Sequence, residues 1–262
     1  MSQQIPQKPL ALVTGASRKI GIGAAIAKTL ARSGWDIVTT YWRPYDQDMP
    51  WHSQADEAQD IIREVQALGS SGMGIEADLS DTHVPQMIFN QVEDAFGPVT
   101  ALVMSHCYSV DSDIFSTTIE DFDQHFAINT RATWLLVREY GKRYQGDFGD
   151  GRIISITSDH TVENLPYGAS KGAMDRIVLA AVHEFKQLGI TANVINPGAT
   201  DTGWMTPELI TQVREQTPLN RVGTPQDCAN LVRFLCSPEG GWVNGQLLFS
   251  NGGVAACSHL GD

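Results

Sequence analysis

A tyrosine and a lysine stand four residues apart in the segment Tyr167-Gly168-Ala169-Ser170-Lys171. At the start of a predicted helix this spacing puts both side chains on one face. A phenol with an ordinary pKa of about 10 exchanges protons poorly near neutrality, and a neighbouring ammonium lowers that pKa by favouring the phenolate. The pair therefore predicts general acid–base catalysis by the tyrosine, although the same spacing also arises by chance on helix surfaces.

Two further polar residues are candidates for the same site. Ser158 follows the predicted strand Arg152–Thr157, and from there its hydroxyl can hydrogen-bond a substrate carbonyl. Asn129 lies in the predicted helix Phe122–Tyr144, within the apolar stretch FAINTRATWLL, where an amide side chain needs a partner or a role. We therefore assign both residues to the catalytic set.

A glycine-rich turn, TGASRKIGIG (residues 14–23), follows the first predicted strand. Its glycines let the backbone turn tightly and let a pyrophosphate approach the peptide groups. The N-terminus of the next helix, opening at about Gly23, then supplies N–H donors and the positive end of the helix dipole. Glycines also occur at turns for steric reasons, but the position between the first strand and the first helix favours dinucleotide binding.

The charges near this turn favour NADP(H) over NAD(H). The second predicted strand, Asp36–Tyr41, lacks a terminal carboxylate that would bind the adenosine 2′-hydroxyl, and the first acid after it is Asp46. Arg18 inside the turn and Arg43 just past the strand suit a 2′-phosphate through charge-assisted contacts. The alternative, that either arginine is a solvated surface residue, stays open.

Short apolar runs alternate along the chain with segments of helical spacing. The predicted strands are Leu10–Thr14, Asp36–Tyr41, Met73–Ala77, Val99–Ser105, Arg152–Thr157, Thr191–Ile195 and Gln246–Phe249. The predicted helices are Gly23–Ser33, Ala55–Leu68, Val84–Phe96, Phe122–Tyr144, Ala169–Leu188 and Pro225–Leu235. This alternation predicts an α/β fold: one doubly wound domain over residues 1–262, with about seven parallel strands and helices on both faces.

Two segments fall outside this alternation. Trp42–Gln54 is aromatic, polar and proline-bearing, which predicts a long loop after the second strand. Ala199–Val222 surrounds one short predicted helix, Pro207–Gln216, with Thr, Gly and Pro. Both follow strands and therefore belong at the ligand-binding edge of the sheet. We expect residues 199–222, with Trp204 near their start, to form a substrate lid.

The composition limits the partners. The 18 basic and 30 acidic side chains give a net charge of −12, which argues against nucleic acids and anionic membranes. No apolar run approaches the roughly 20 residues that span a bilayer, and the polar start MSQQIPQKPL does not resemble an export signal. The four cysteines form no CxxC pair and the seven histidines show no metal-binding spacing, so we expect a cytoplasmic protein without a metal.

These motifs resemble the short-chain dehydrogenase/reductase family along essentially the whole chain. The motifs that carry the resemblance are Thr14-Gly15, Gly21-Ile22-Gly23, Asp78-Leu79, Asn129, Ser158, Tyr167-x-x-x-Lys171, Asn196-Pro197-Gly198 with Thr200 and Thr202, Gly245-Gln246 and Gly252-Gly253. The resemblance implies a single Rossmann-like domain that transfers hydride between a nicotinamide and a carbonyl or alcohol.

Residue roles follow from the resemblance position by position. Tyr167 would be the acid/base, Ser158 would orient the carbonyl, and Lys171 would bind the nicotinamide ribose. Asn129 would hold a water of the proton relay, and Asp78 would meet the adenine amine. The implied cofactor-binding set is Thr14, Gly15, Ser17, Arg18, Gly21, Ile22, Gly23, Arg43, Asp78, Leu79, Ser105, Tyr167, Lys171, Pro197, Gly198, Thr200 and Thr202.

The chain departs from the family pattern in three places. Five residues separate Gly15 from Gly21, a longer turn that is similar to that of the divergent enoyl-thioester reductases. The family's Asn-Asn-Ala-Gly segment is replaced by MSHC (residues 104–107), so that Cys107 replaces a glycine. Ser158 precedes Tyr167 by only nine residues, and His160 between them either contacts substrate or faces solvent. For His106 we favour a hydrogen-bonded structural role.

We therefore predict an NADPH-dependent carbonyl reductase that acts on a ketone or a 3-oxoacyl thioester, with Tyr167 as the acid. Two alternatives stay open: an enone or imine reductase of the same fold, and a catalytically silent dinucleotide-sensing protein. The resemblance also implies a homo-oligomer, either a dimer through Phe122–Tyr144 and Ala169–Leu188 or a tetramer near Gly245–Phe249 and the tail Val254–Asp262.

Overall fold

Seven parallel strands form one sheet in the computed structural model, which describes residues 8–49, 54 and 56–254. The strands are β1 (Leu10–Thr14), β2 (Asp36–Tyr41), β3 (Gly72–Glu76), β4 (Ala101–Met104), β5 (Arg152–Ile156), β6 (Thr191–Asn196) and β7 (Leu247–Phe249). Their spatial order is β3-β2-β1-β4-β5-β6-β7, and each neighbouring pair is parallel. The predicted doubly wound α/β fold is confirmed.

Helices cover both faces of this sheet. They are α1 (Ile22–Arg32), α2 (Arg43–Asp48), α3 (Glu57–Ala67), α4 (Val84–Phe96), α5 (Ile119–His125), α6 (Ala132–Arg143), α7 (Leu165–Glu184), α8 (Pro207–Gln216) and α9 (Pro225–Leu235). A π-helical turn, Phe126–Arg131, joins α5 to α6, and a 3₁₀ turn, Pro238–Gly240, follows α9.

The alternation of side chains along each strand divides the core into two clusters. On one face Leu12, Leu102 and Ile153 pack with residues of α4, α6 and α7. On the other face Val13 and Val103 pack with residues of α1, α3 and α9. The central strands are thus buried on both sides, which explains why their sequences are apolar without alternation.

The strand order reverses direction between β1 and β4. In an open parallel sheet, such a switch point leaves a crevice beyond the carboxyl ends of the strands, where ligands bind. The glycine turn leaves β1 at this place, and the segment beginning with Ser105 leaves β4 beside it. Ser105, predicted to end the fourth strand, lies just outside it.

The prediction of a long loop over Trp42–Gln54 is wrong in part, because Arg43–Asp48 forms the helix α2. Pro44 misled the sequence reading. It stands in the first helical turn, where its missing N–H costs nothing since that group has no intrahelical partner. Residues 50–53 lie outside the described part of the chain.

The predicted continuous helix Phe122–Tyr144 also needs correction. The helix begins earlier, at Ile119, because the Thr118 hydroxyl caps it by accepting a hydrogen bond from the Asp121 amide at 3.0 Å. The π-helical turn then interrupts the α-helical hydrogen bonding before α6. Such turns are frequent at functional sites.

Other boundaries move by a few residues. The predicted helix Ala169–Leu188 begins at Leu165 instead and ends at Glu184. Ala55 of the predicted third helix and residues 255–262 of the predicted oligomer tail lie outside the described residues. Within residues 199–222, the predicted helix Pro207–Gln216 is confirmed as α8, and none of its side chains is buried.

Candidate active site

The glycine turn forms a close-fitting cradle at the switch point. Gly15 has a positive φ of 75°, and a Cβ on it would lie 2.5 Å from the Cα of His106. A Cβ on Gly23 would lie 2.5 Å from the carbonyl oxygen of Gly15. Gly21 precedes α1 without a side-chain cap, so the amides of that helix end point into the crevice without a side-chain acceptor. This cradle fits a dinucleotide pyrophosphate.

His106 fixes the floor of the cradle. Its Nδ1 lies 2.6 Å from the Thr14 hydroxyl and its Nε2 lies 3.2 Å from the carbonyl oxygen of Ile128. Because a carbonyl only accepts, Nε2 carries the proton and Nδ1 accepts from the threonine. Burial lowers the pKa of His106 to about 3, so the ring stays neutral. The preferred structural role of His106 is consistent with these contacts.

Ser158, Tyr167 and Lys171 come together beside the cradle. Ser158 lies just past β5, and its hydroxyl acts to lower the pKa of the Tyr167 phenol. Tyr167 projects from the first turn of α7. The Lys171 ammonium lies 5.8 Å from the centre of the Tyr167 ring. It is buried and donates to the carbonyl oxygen of Ile156 at 2.9 Å. Two backbone carbonyls thus hold the ammonium, the second being that of His106 at 3.4 Å.

The expected lowering of the Tyr167 pKa is not found. Burial raises the pKa of Tyr167 well above its ordinary value, and the opposing effect of Ser158 is smaller than that of burial. Burial also lowers the pKa of Lys171. Desolvation disfavours the charged form of both groups, and that burial is set by the packing of α7 on the sheet rather than by the spacing of the two residues.

Asn129 is completely buried in the π-helical turn. Its amide nitrogen donates to the Tyr108 carbonyl and to the Ser170 hydroxyl, both at 2.9 Å, while its oxygen accepts from the Tyr108 amide at 2.8 Å. Asn129 therefore joins the segment after β4 to α7, one residue before Lys171.

The two arginines expected near a 2′-phosphate are each engaged by an acid. Arg18 Nε lies 3.2 Å from Asp46 Oδ1, and Arg43 Nε lies 3.2 Å from Glu76 Oε1. Arg18 also donates from Nη1 to the carbonyl oxygen of Thr202 at 2.8 Å. The sequence analysis did not predict either pairing, because each acid is distant from its arginine along the chain.

The other predicted cofactor residues surround the crevice. Asp78 accepts a hydrogen bond from the Ser80 amide at 2.9 Å, whereas the Leu79 side chain is buried in the core, which leaves only its backbone for a ligand. Two of the remaining positions form hydrogen bonds with distant parts of the chain, Ser17 with Trp42 and Ser105 with Thr14. Ile22 packs against the core formed by α1 and α9. Gly198 and Thr200 form hydrogen bonds within their own loop, with Asn196 and Pro197.

Three residues that the sequence analysis did not single out also reach the crevice. The Tyr45 hydroxyl of α2 donates to the Ser109 carbonyl at 3.1 Å and accepts from the Ser109 amide at 3.2 Å. The Tyr45 ring lies 5.4 Å from that of Tyr108, and a charge on Tyr45 would raise the pKa of Tyr167. The aromatic residues of the segment Trp42–Gln54 were the feature of the sequence that could have indicated a role for Tyr45.

The departures from the family pattern also have places in this site. Cys107 is exposed, and a charge on its thiol would raise the pKa of both Tyr167 and Lys171. Asp159 and His160 are exposed, and the His160 amide donates to the Ser158 hydroxyl at 3.1 Å. The short connection from Ser158 to α7 therefore begins with a turn that is closed by the Ser158 hydroxyl.

The described residues contain neither a metal-binding cluster nor a helix suited to crossing a membrane. In residues 8–49, 54 and 56–254, no three or more His, Cys, Asp and Glu side chains are grouped so that they could hold a metal ion. None of the helices in that part of the chain combines the length and apolar character that crossing a membrane requires.

Comparison with known proteins gives consistent matches over nearly the whole chain. A family model described as enoyl-(acyl carrier protein) reductase matches residues 15–255. The uncharacterized oxidoreductase YjdA of Bacillus subtilis is 34% identical over 252 residues, which cover 94% of this chain and 97% of that protein. An NADPH-dependent aldehyde reductase-like chloroplastic protein of Arabidopsis thaliana is 35% identical over 268 residues, covering 95% and 97%. The crystal structure of a short-chain dehydrogenase from Burkholderia cenocepacia in complex with NADP has a TM-score of 0.84 at 31% identity, covering 95% of this chain and 98% of that chain.

Proposed function

The chain belongs to the short-chain dehydrogenase/reductase family of oxidoreductases, and from that premise we propose that it is an NADPH-dependent carbonyl reductase. One observation carries the proposal. A tyrosine whose pKa responds to a nearby serine, and whose ring faces a buried ammonium, lies beside a glycine cradle at the switch point of the sheet. Carbonyl reduction requires an acid, a hydroxyl that orients the carbonyl, and a binding site for the dinucleotide.

Each catalytic side chain has a distinct task in this proposal. Tyr167 donates its phenolic proton to the carbonyl oxygen of the substrate, and Ser158 holds that oxygen by a hydrogen bond. When the proton leaves, Lys171 stabilises the resulting phenolate by its positive charge. Asn129 fixes the segment after β4 and holds a water that returns a proton to the tyrosine. The bound dinucleotide supplies the hydride that reduces the carbonyl carbon.

The cofactor preference is part of the proposal. Arg18 and Arg43 both stand near the end of β2, where the adenosine ribose of a dinucleotide lies, and β2 carries no terminal acid. The Arabidopsis relative is named NADPH-dependent, and the Burkholderia structure holds NADP. A larger thermal stabilisation by NADPH than by NADH would support the preference, and the reverse order would refute it.

The proposed substrate is a partly hydrophobic ketone or 3-oxoacyl thioester. Residues 199–222 are proposed as its lid, because α8 has no buried side chain and Trp204 is 47% exposed. Trp204 is tied back by a hydrogen bond from its indole nitrogen to the Thr200 carbonyl at 3.1 Å. A panel of aliphatic and aromatic ketones, assayed with NADPH, identifies the accepted class.

Replacement of Tyr167 by Phe tests the proposed acid. The variant keeps the ring and loses only the hydroxyl, so we expect kcat for ketone reduction to fall by at least about 100-fold. Binding of NADPH, measured by calorimetry, should remain near the wild-type affinity. Unchanged turnover would remove Tyr167 as the proton donor, whereas NADPH binding by a wild-type protein inactive on every ketone would favour the dinucleotide-sensing alternative.

Reduction of a carbon–carbon double bond is a second candidate function. The matched family model carries an enoyl reductase description, and the turn between Gly15 and Gly21, with five intervening residues, is longer than is usual in the family. The four-residue interval between Tyr167 and Lys171 supports carbonyl chemistry instead. Analysis of the product from an enone separates the two functions, because one yields an allylic alcohol and the other a saturated ketone.

We also propose that the protein acts as a homo-oligomer in the cytoplasm. A groove of about 610 Å³ on α5, α6 and α7 is lined by Phe126, Trp134 and Ile177, among others. Trp134 is 47% exposed, and the edge strand β7 exposes Leu247 and Phe249. Apolar exposure on these two faces supports a dimer or tetramer. The free thiols of Cys107, Cys228 and Cys236 are consistent with a reducing compartment.

A further inference from the structure

The segment Trp42–Asp48, here called the strap, crosses the dinucleotide crevice. It leaves the end of β2, and its Tyr45 hydroxyl forms two hydrogen bonds with the backbone of Ser109, which follows β4. Because β1 lies between β2 and β4 in the sheet, the strap passes over the end of β1, where the glycine turn begins. It therefore covers the side of the crevice where the adenosine half of a dinucleotide is expected.

An ion pair joins the strap to the glycine turn in a place that is poorly accessible to water. Asp46 is 5% exposed, and its carboxylate lies 3.2 Å from the Arg18 guanidinium. The Arg18 side chain is 15% exposed and also donates to the carbonyl oxygen of Thr202 in the lid segment. Charges in such surroundings are weakly screened by salt, so their interaction persists at physiological ionic strength.

The second arginine of the crevice is held more weakly. Arg43 and its partner Glu76 are 38% and 37% exposed, and an exposed pair contributes little because water and salt screen it. Arg43 can therefore turn towards a ligand at small cost. An anion that approaches Arg18 is repelled by the buried carboxylate of Asp46, which lies 3.2 Å from the guanidinium.

NADP(H) and NAD(H) differ in the charge that they place beside the Asp46 carboxylate. A 2′-phosphate carries a charge of about −1.5 to −2 at neutral pH, so it seeks the Arg18 guanidinium and is repelled by Asp46. The 2′-hydroxyl of NAD(H) is uncharged and has no such conflict, because a carboxylate accepts a hydrogen bond from it. Asp46 thus has opposite effects on the two ligands.

We propose that Asp46 is a specificity-determining residue, which competes with the 2′-phosphate of NADP(H) for Arg18 and so reduces a preference that the two arginines would otherwise make stronger. The inference rests on the proposed function only in that a nicotinamide dinucleotide binds in this crevice. It assigns a role to an acid on the strap rather than to the end of β2.

Calorimetric binding of NADPH and NADH to the full chain tests this role without any activity assay. The measured quantity is the dissociation constant of NADH divided by that of NADPH, which is larger when NADPH is preferred more strongly. In Asp46→Asn the competing charge is lost, so this ratio should rise by about tenfold, equivalent to one favourable charge contact. The matched control is Glu93→Gln, which removes the same charge from an ion pair with Arg143 at 2.8 Å on α4 and α6, away from the crevice. Its ratio should stay at the wild-type value.

A second arm asks whether Asp46 acts through Arg18. Arg18→Ala should lower the ratio, and Asp46→Asn should no longer raise it in that background. An unchanged or lowered ratio in Asp46→Asn, or an equal gain in both backgrounds, overturns the proposal. Asp46→Ser provides a second variant without the carboxylate if the first does not fold. A wild-type protein that binds neither cofactor refutes the proposed function instead.

Discussion

The Tyr167 phenol keeps its proton at neutral pH, because burial raises its pKa well above the ordinary value. The protonated form is the one that a general acid needs for reduction of a carbonyl. Lys171 is buried with it, and burial favours loss of the ammonium proton. Two backbone carbonyls, of Ile156 and His106, accept hydrogen bonds from that ammonium and favour its charged form.

Among the cysteines in the described part of the chain, Cys107 is the exposed one and lies at the candidate active site. A charge on its thiol would raise the pKa of Tyr167 and of Lys171, whereas Cys228 and Cys236 are buried, which raises the pKa of each to about 12. In a Cys257→Ser background, we expect iodoacetamide to abolish activity by alkylating Cys107, because an added carboxamide would obstruct the crevice. Mass spectrometry of the labelled peptides and residual activity measure this.

The control for that prediction is Cys107→Ala in the same background. This variant should retain activity after iodoacetamide treatment, since the two buried thiols react slowly in the folded chain. Loss of activity in the variant at the wild-type rate would locate the sensitive group elsewhere.

At the scale of elements, the helix α9 depends on a charged cap. The Asp227 carboxylate accepts hydrogen bonds from the Thr224 amide at 2.8 Å and hydroxyl at 2.7 Å, and pairs with both terminal nitrogens of Arg221. These contacts hold the pKa of Asp227 well below its usual range. Because α9 packs against α1 under the glycine turn, the cap also supports the crevice.

Asp227→Ala should lower the free energy of unfolding by about 1 kcal/mol at neutral pH, as loss of a helix cap does. Because the pKa of Asp227 is lower in the folded state than its ordinary value of 3.8, the carboxylate stabilises the folded protein at pH values above 3.8. This contribution to stability is lost as the pH falls below that value. The difference from wild type should therefore shrink in acid. Urea unfolding at both pH values measures it, with Glu208→Ala in the first turn of α8 as the control.

The strands and most helices were predictable because their signals are local. The unalternated apolar runs gave β1 and β2 with correct bounds, and the Tyr167–Lys171 spacing placed both residues on α7. The π-helical turn at Asn129 and the sign of the Tyr167 pKa shift were not predictable, because each depends on contacts between segments that are distant in the sequence, such as Asn129 with Ser170. The helix of the strap was missed for a local reason, because Pro44 was taken as a loop residue and not as part of a first helical turn.

At the scale of the whole molecule, we predict a solution mass of two or four times the 28.6 kDa chain, measured by light scattering. Trp134→Glu removes the exposed apolar side chain from the groove on α5, α6 and α7 and adds a third carboxylate beside Glu120 and Asp123, so we expect it to halve the assembly. The control is Phe148→Ser, which replaces an exposed apolar side chain in the loop between α6 and β5. A monomeric wild-type protein, or equal effects of both variants, would contradict the prediction.

The residues of the candidate active site come from segments that are far apart in the chain: the glycine turn follows β1, Ser158 follows β5, and Tyr167 and Lys171 lie on α7. A partly folded chain that has formed only its first βαβ unit therefore possesses the glycine turn and lacks the proposed acid. During renaturation, quenching of protein fluorescence by a nucleotide would return before turnover does. The interval between the two signals would time the docking of α7 on the central strands.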